Sequence, residues 1–157
     1  MDDSNQLVCT ALRNISSLSA LNDEAIAELA VHTELQTYPA GTILFTEGQH
    51  HDRLYFVCEG MVQLNMATTA RGRGRQAILS VGSDDVLAWS ALIGDAIMTA
   101  TAIATEDTRV ISMIASKLKS VLDANPSLGY QFMTAVAKAL SRRLLATRLQ
   151  LLDLYLD

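Results

Sequence analysis

Thr42-Ile43-Leu44-Phe45-Thr46-Glu47-Gly48 and, three residues on, Asp52-Arg53-Leu54-Tyr55-Phe56-Val57-Cys58-Glu59-Gly60-Met61-Val62 decide the fold. Each is a short run rich in branched and aromatic side chains, closed by a Glu-Gly pair. Such runs suit strands, and the glycine behind each suits a tight corner. The pattern repeats downstream. Met61–Met66 and Gln76–Val81 read as strands, followed by Thr99–Ala104 and Arg109–Ile114 with a turn at Glu106-Asp107. Short strands with glycine punctuation at this density predict an antiparallel barrel or roll. Gly41, Gly48 and Gly60 are expected at its corners with positive φ. Upstream, the apolar period is already two from Leu35.

Helices flank this core. Leu7, Ala11, Ile15 and Leu18 fall at helical spacing, and Asn22-Asp23-Glu24 opens a clearer helix that should stop near His32. Asn22 or Asp23 can cap it, and its first turn is acidic. After the strands come a short helix, Ser116–Leu122, and a long one begun by Asn125-Pro126 as N-cap and first residue. Nothing breaks it from Tyr130 to Leu156. Leu140, Leu144, Thr147, Leu151 and Leu154 alternate four and three apart, a heptad-like seam. Leu145, Leu149, Leu152 and Leu156 form a second seam beside it. Two leucine faces on one helix imply two partners, and a second copy of the chain is the expected cover for one of them. The fold class is therefore α+β: a short N-terminal helix, an antiparallel, jelly-roll-like β-roll over 18–124, and a C-terminal dimerisation helix over 125–157.

Composition narrows the function. The formal charge of −5 and pI of about 5.1 argue against a free-standing nucleic-acid binder. Cys9 and Cys58 form no C-x-x-C pair, which fits a reducing compartment and no structural metal. The start lacks a signal-peptide pattern and no apolar run reaches spanning length, so a soluble cytoplasmic protein is expected, with no membrane contact. His50-His51-Asp52 with Glu59 invites a metal reading, but neighbouring strand residues point to opposite faces, so a surface loop and no metal are expected. Cys58 reads as strand interior. No nucleophile set assembles, so neither an enzyme nor a cofactor is expected. Arg71-Gly72-Arg73-Gly74-Arg75 reads as a solvated hairpin tip. Arg142, Arg143 and Arg148 read as the wet side of the long helix, their stems lying across leucines.

The remaining stretch runs from Gly82 through Trp89 to Ala102 and reads as a turn, a short helix and a strand. A helix set inside a β-structure offers free N–H donors to a polar ligand. Here the sequence resembles a known family. Tyr38-Pro39-Ala40-Gly41 through Gly48, then Asp52 through Val62, resembles the cyclic-nucleotide-binding domain of catabolite-activator-type regulators, found also in protein-kinase regulatory subunits and gated channels. The resemblance implies a β-roll whose last helix dimerises. It also implies a ligand cassette on Ala88, Trp89, Ser90, Ala91, Met98, Thr99 and Ala100. In the family a glycine–glutamate pair opens the short helix, the glutamate taking the ribose, and an arginine takes the cyclic phosphate. Here Ala88 stands at the glycine, Trp89 at the glutamate and Met98 at the arginine; Thr99 and Ala100 match.

The same departure can be read without the family. A buried phosphate needs countercharge or many donors. Val86 to Ala104 contains no Lys or Arg, and Asp84, Asp85 and Asp95 lie close in sequence and would repel it. The expectation is a regulatory module whose cassette is plugged by apolar bulk. Three alternatives stay open: a less charged ligand stacking on Trp89, a regulator relative without its own helix-turn-helix that acts through a DNA-binding partner, and a cupin-type barrel enzyme. The chain stops at Asp157 with no reading helix, so no direct DNA binding is expected.

Overall fold

The structure, a computed structural model, describes residues 2–67 and 74–156. Helix α1 spans Asp3–Asn14, capped by Asp2, and a 3-10 turn follows at Ser16–Leu18. Helix α2 spans Asp23–Ala30, and the Asn22 carboxamide oxygen accepts from the Ala25 N–H at 2.8 Å as its N-cap. Eight strands come next: β1 Thr33–Tyr38, β2 Ile43–Phe45, β3 Arg53–Glu59, β4 Val62–Ala67, β5 Arg75–Val81, β6 Val86–Leu87, β7 Thr101–Ala104 and β8 Thr108–Ile114. Helix α3, Ser90–Ile93, interrupts them between β6 and β7, and α4, Ala115–Ala124, and α5, Pro126–Leu156, close the chain.

The strands pair antiparallel in two four-stranded sheets, ordered β1-β8-β3-β6 and β2-β7-β4-β5. Strand β6 and the first half of β1 are additions to the sequence reading. The strand expected from Thr99 begins at Thr101, with Thr99 and Ala100 in the bend before it. Of the arginine–glycine stretch, Arg71-Gly72-Arg73 lies outside the described residues, and Arg75 opens β5.

Strand β3 explains why the deciding stretch is apolar without alternation. Leu54 and Phe56 face the helices, where they join Leu12, Leu18, Leu29, Ile111 and Phe132 in one core. Tyr55 and Val57 face the roll interior with Phe45, Leu64, Val81 and Val110. A strand covered on both faces keeps apolar residues on both. Phe56 and Phe132 meet edge to face, ring centroids 6.2 Å apart, and anchor α5 on β3.

Helix α5 has two halves. Leu128, Phe132, Ala135, Val136 and Ala139 are buried in the helical core, so the sequence boundary at 124/125 does not divide that core. Beyond Ala139, Leu140 is half-buried against the core, while Leu144, Thr147, Leu151 and Leu154 are exposed, as are Leu145, Leu149, Leu152 and Leu156. The far half touches the roll through polar groups. The Arg143 guanidinium donates to the Val86 carbonyl on β6, and Gln150 Nε2 donates to the Ile78 carbonyl on β5 at 3.1 Å. Strands β5 and β6 are the end strands of the two sheets.

Candidate functional site

The cassette is built on a short backbone detour. After β6 the chain turns at Ala88, whose φ is +61°. A left-handed conformation suits glycine best, and this is the position that the resemblance assigns to a glycine. Trp89 then leads into α3, a single turn, which is the short helix expected in this stretch. The Ser90 hydroxyl donates to the Ile97 carbonyl at 3.1 Å and ties the turn to the descending arm. The loop between β2 and β3 clamps that arm. Gly48 N–H donates to Met98 O at 2.8 Å, Met98 N–H to Gln49 O at 3.0 Å, and His51 N–H to Ala96 O at 2.9 Å.

The enclosed space is small. A cavity of about 30 Å³ is bounded by Ala88, Trp89, Ser90, Met98, Thr99 and Ala100, together with Phe45, Leu64, Leu87 and Arg143. Six of the seven expected cassette residues therefore meet around one space; Ala91 packs against the interior beside it instead. Met98 is 2% exposed and fills the interior, Trp89 is half-buried at the rim, and Thr99 is exposed.

Two electrostatic expectations need correcting. Arg143 is not on the wet side of α5: its side chain is 12% exposed and lines the cavity. Burial, opposed by nearby Asp85, holds its guanidinium below the usual arginine range. The acids are also not aimed at the cavity. Asp84 Oδ1 accepts from the Ser16 N–H at 3.0 Å, Asp85 Oδ2 from the Gly82 N–H at 2.9 Å, and Asp95 Oδ1 from the Ile97 N–H at 3.0 Å. Among the described residues, the one charged side chain lining the cavity is a cation brought by another element. Its position was signalled by spacing: Phe132, Val136, Ala139 and Arg143 run four, three and four apart along one helix face.

The histidine loop also differs from a plain surface loop. His51 packs on Phe45 and Tyr55, ring centroids 5.6 and 5.7 Å away, and its Nε2 lies 2.8 Å from the Tyr55 hydroxyl. Asp52 caps α4, its carboxylate accepting from the Ser116 N–H at 2.9 Å and hydroxyl at 2.6 Å. Among the described residues no three His, Cys, Asp or Glu side chains converge as metal ligands. Burial pushes the Cys58 thiol up, which disfavours a nucleophilic thiolate.

Burial, reinforced by Arg53, holds the His51 imidazole below its ordinary value of 6.5. The unfolded chain thus takes up this proton at higher pH than the folded one, and stability rises with pH in that range. His51 contributes fully above about pH 6.5, and its contribution is lost as pH falls toward and through the lowered folded value. His51→Gln is expected to flatten the fall in Tm between about pH 7 and 5. Scanning calorimetry of both proteins checks this; parallel pH profiles would assign the fall to other groups.

A roll with a one-turn helix in its wall and a long helix touching the end strand of each sheet defines an α+β roll domain. The chain belongs to the cyclic nucleotide-binding domain family, whose pattern residues 35–125 match. It is 28% identical over 119 residues to the CRP-like cAMP-activated global transcriptional regulator of Mycobacterium tuberculosis, covering 75% of this chain and 52% of that protein. Its structure is similar to the N-terminal domain of a transcriptional regulator from Streptomyces coelicolor, at TM-score 0.65 and 30% identity over 90% of this chain and 94% of the other. The catabolite activator protein of Thermus thermophilus shares the fold at TM-score 0.66 and 22% identity, over 88% of this chain and 62% of that one. The chain spans about half the length of the regulator it matches. Among the described residues no helix is long and apolar enough to cross a membrane.

Proposed function

We propose that the chain is a regulatory, non-enzymatic member of this family that does not take cyclic AMP or cyclic GMP in the family's usual way, and that it works as a homodimer through α5. One observation carries the first part: the cassette space is about 30 Å³, walled by Trp89 and filled by Met98. A cavity of that order holds a water or two, not a nucleoside. The two positions that the resemblance assigns to ribose and phosphate recognition carry an indole and a thioether. Charge-assisted hydrogen bonds are worth about 1.5–3 kcal/mol each, so losing both costs roughly 3–6 kcal/mol, or about two to four decades in affinity. Isothermal titration with each nucleotide is expected to show no saturable binding at micromolar concentrations. A micromolar isotherm with either one defeats the proposal.

The match to a transcriptional regulator supports a second reading, in which this module is the sensing part of transcriptional control and DNA contact comes from elsewhere. The net charge of −5 favours DNA contact through another domain or partner over contact through this module.

A further inference from the structure

A groove of about 440 Å³ lies between the 3-10 turn and α5, and no residue that lines it lines the cassette cavity. Ser16, Ser17 and Ala20 come to it from the turn, and Ala137, Lys138 and Arg142 from the helix. Lys138 and Arg142 stand four apart, so they share one helix face, where like charges repel. Among the described residues neither forms an ion pair with a carboxylate, and no Asp or Glu lines the groove. Arg142 Nη1 donates to the Ser16 hydroxyl at 3.1 Å, and Arg142 also borders the neighbouring cavity that holds Asp84 and Asp85; Lys138 does not. In a chain of net charge −5 this is a local excess of cations. Ser17 adds a second irregularity. It lines the groove and is 5% exposed, yet its hydroxyl is buried with no hydrogen-bond partner. A hydroxyl left in that state costs its full desolvation, and a bound acceptor would recover it.

We infer that this groove binds a small organic acid, an oxyanion head on a short apolar body, with Lys138 as its countercharge. The head sits between Lys138 and Arg142 and relieves their repulsion, while Arg142 keeps its bond to Ser16. A step in χ1 turns the Ser17 hydroxyl to the head and gives it an acceptor. The body lies on the Ala20 and Ala137 methyl groups. The volume is in the range of small-molecule sites. The inference is independent of whether the cassette takes a cyclic nucleotide.

The test is a titration of the whole nitrogen-15-labelled chain, followed by its amide resonances, with potassium chloride holding ionic strength constant. The probes are benzoate and phenyl phosphate, with benzyl alcohol as the neutral body and inorganic phosphate as the bare head. Benzoate or phenyl phosphate is expected to shift the Ser17, Ala20, Ala137 and Lys138 amides saturably in the millimolar range or below. Benzyl alcohol and inorganic phosphate should bind about tenfold more weakly or not at all. Lys138→Gln should weaken the acid by about tenfold, and Lys138→Arg should keep it. Lys138 is exposed, so both variants are expected to fold. Ser17→Ala should raise the melting temperature of the free protein, because the unpartnered hydroxyl is gone, and still weaken the acid several-fold. A wild type whose groove amides respond to neither acid overturns the inference, as do shifts centred on Trp89 and Thr99. Benzyl alcohol binding as tightly as benzoate, or Lys138→Gln binding like wild type, removes the countercharge and overturns it equally. Inorganic phosphate binding as tightly as phenyl phosphate reduces the groove to a site for a bare ion and overturns the organic-acid assignment.

Discussion

Gly60→Ala is expected to lower the melting temperature by about 5–15 °C, a larger loss than any other single glycine substitution in the roll. Gly60 closes β3 at φ +105°, and a Cβ there would lie 2.6 Å from Thr108 Cα and Oγ1 and 2.7 Å from the Asp107 carbonyl. Two costs combine. An L-residue in a left-handed conformation costs roughly 1–2 kcal/mol. Forcing packed backbone apart costs about 1–3 kcal/mol more. The neighbour cannot give easily, because Thr108 is buried and its Oγ1 accepts from the Met61 N–H at 3.3 Å and donates to the Glu106 carbonyl at 2.8 Å. Gly41→Ala is the control: its φ is +92°, but nothing lies within 4 Å of a Cβ there, so only the first cost applies. Thermal melts of the two variants separate the contributions. Equal losses would show that contact with Thr108 plays no part.

Light scattering at micromolar concentration is expected to give the mass of a dimer, and Leu144→Glu with Leu151→Glu should yield monomer or insoluble protein. In the single chain these two leucines are 52% and 53% exposed, and Leu145, Leu149, Leu152, Leu154 and Leu156 continue the apolar surface around the helix. Burying a leucine fully is worth about 1.5–3 kcal/mol, so several leucines matched across two copies suffice for tight association. A glutamate at a buried seam position leaves an unpaired charge there, which costs more than the leucine gave. A monomeric wild type removes the dimer proposal outright. A double variant that stays dimeric and soluble moves the interface off these positions.

The fold was legible because its signals are local. Glu47-Gly48 and Glu59-Gly60 punctuate the strands, the Asn125 side chain accepts from the Leu128 N–H at 3.3 Å as the predicted cap, and the apolar run of β3 follows from cover on both faces. Strand β6 was missed because a two-residue strand carries no period to read. The cassette was half legible. Ala88, Trp89 and Met98 could be placed by resemblance, and the structure brings them to one cavity. Its charge could not be read from the segment, because Arg143 comes from α5 and bonds Val86, 57 residues away along the chain. Nearness in sequence misled the reading of Asp84 and Asp95, whose carboxylates instead accept from the Ser16 and Ile97 N–H groups. His51 was read from its neighbours on the chain, whereas its environment is set by Phe45 and Tyr55.

The unequal halves of α5 give the molecule a pivot and an arm. The pivot is the buried run from Leu128 to Ala139, fixed by Phe132 against Phe56. The arm, from Ser141 to Leu156, is about 24 Å long at 1.5 Å per residue. It is stayed near its base by Arg143 on one sheet and farther out by Gln150 on the other. Releasing those two stays disturbs no apolar core, so a rotation of about 10° at the pivot would swing the tip roughly 4 Å. Leu151, Leu154 and Leu156 would ride on that tip, and a change of one hydrogen-bond length at the cavity would reach them enlarged.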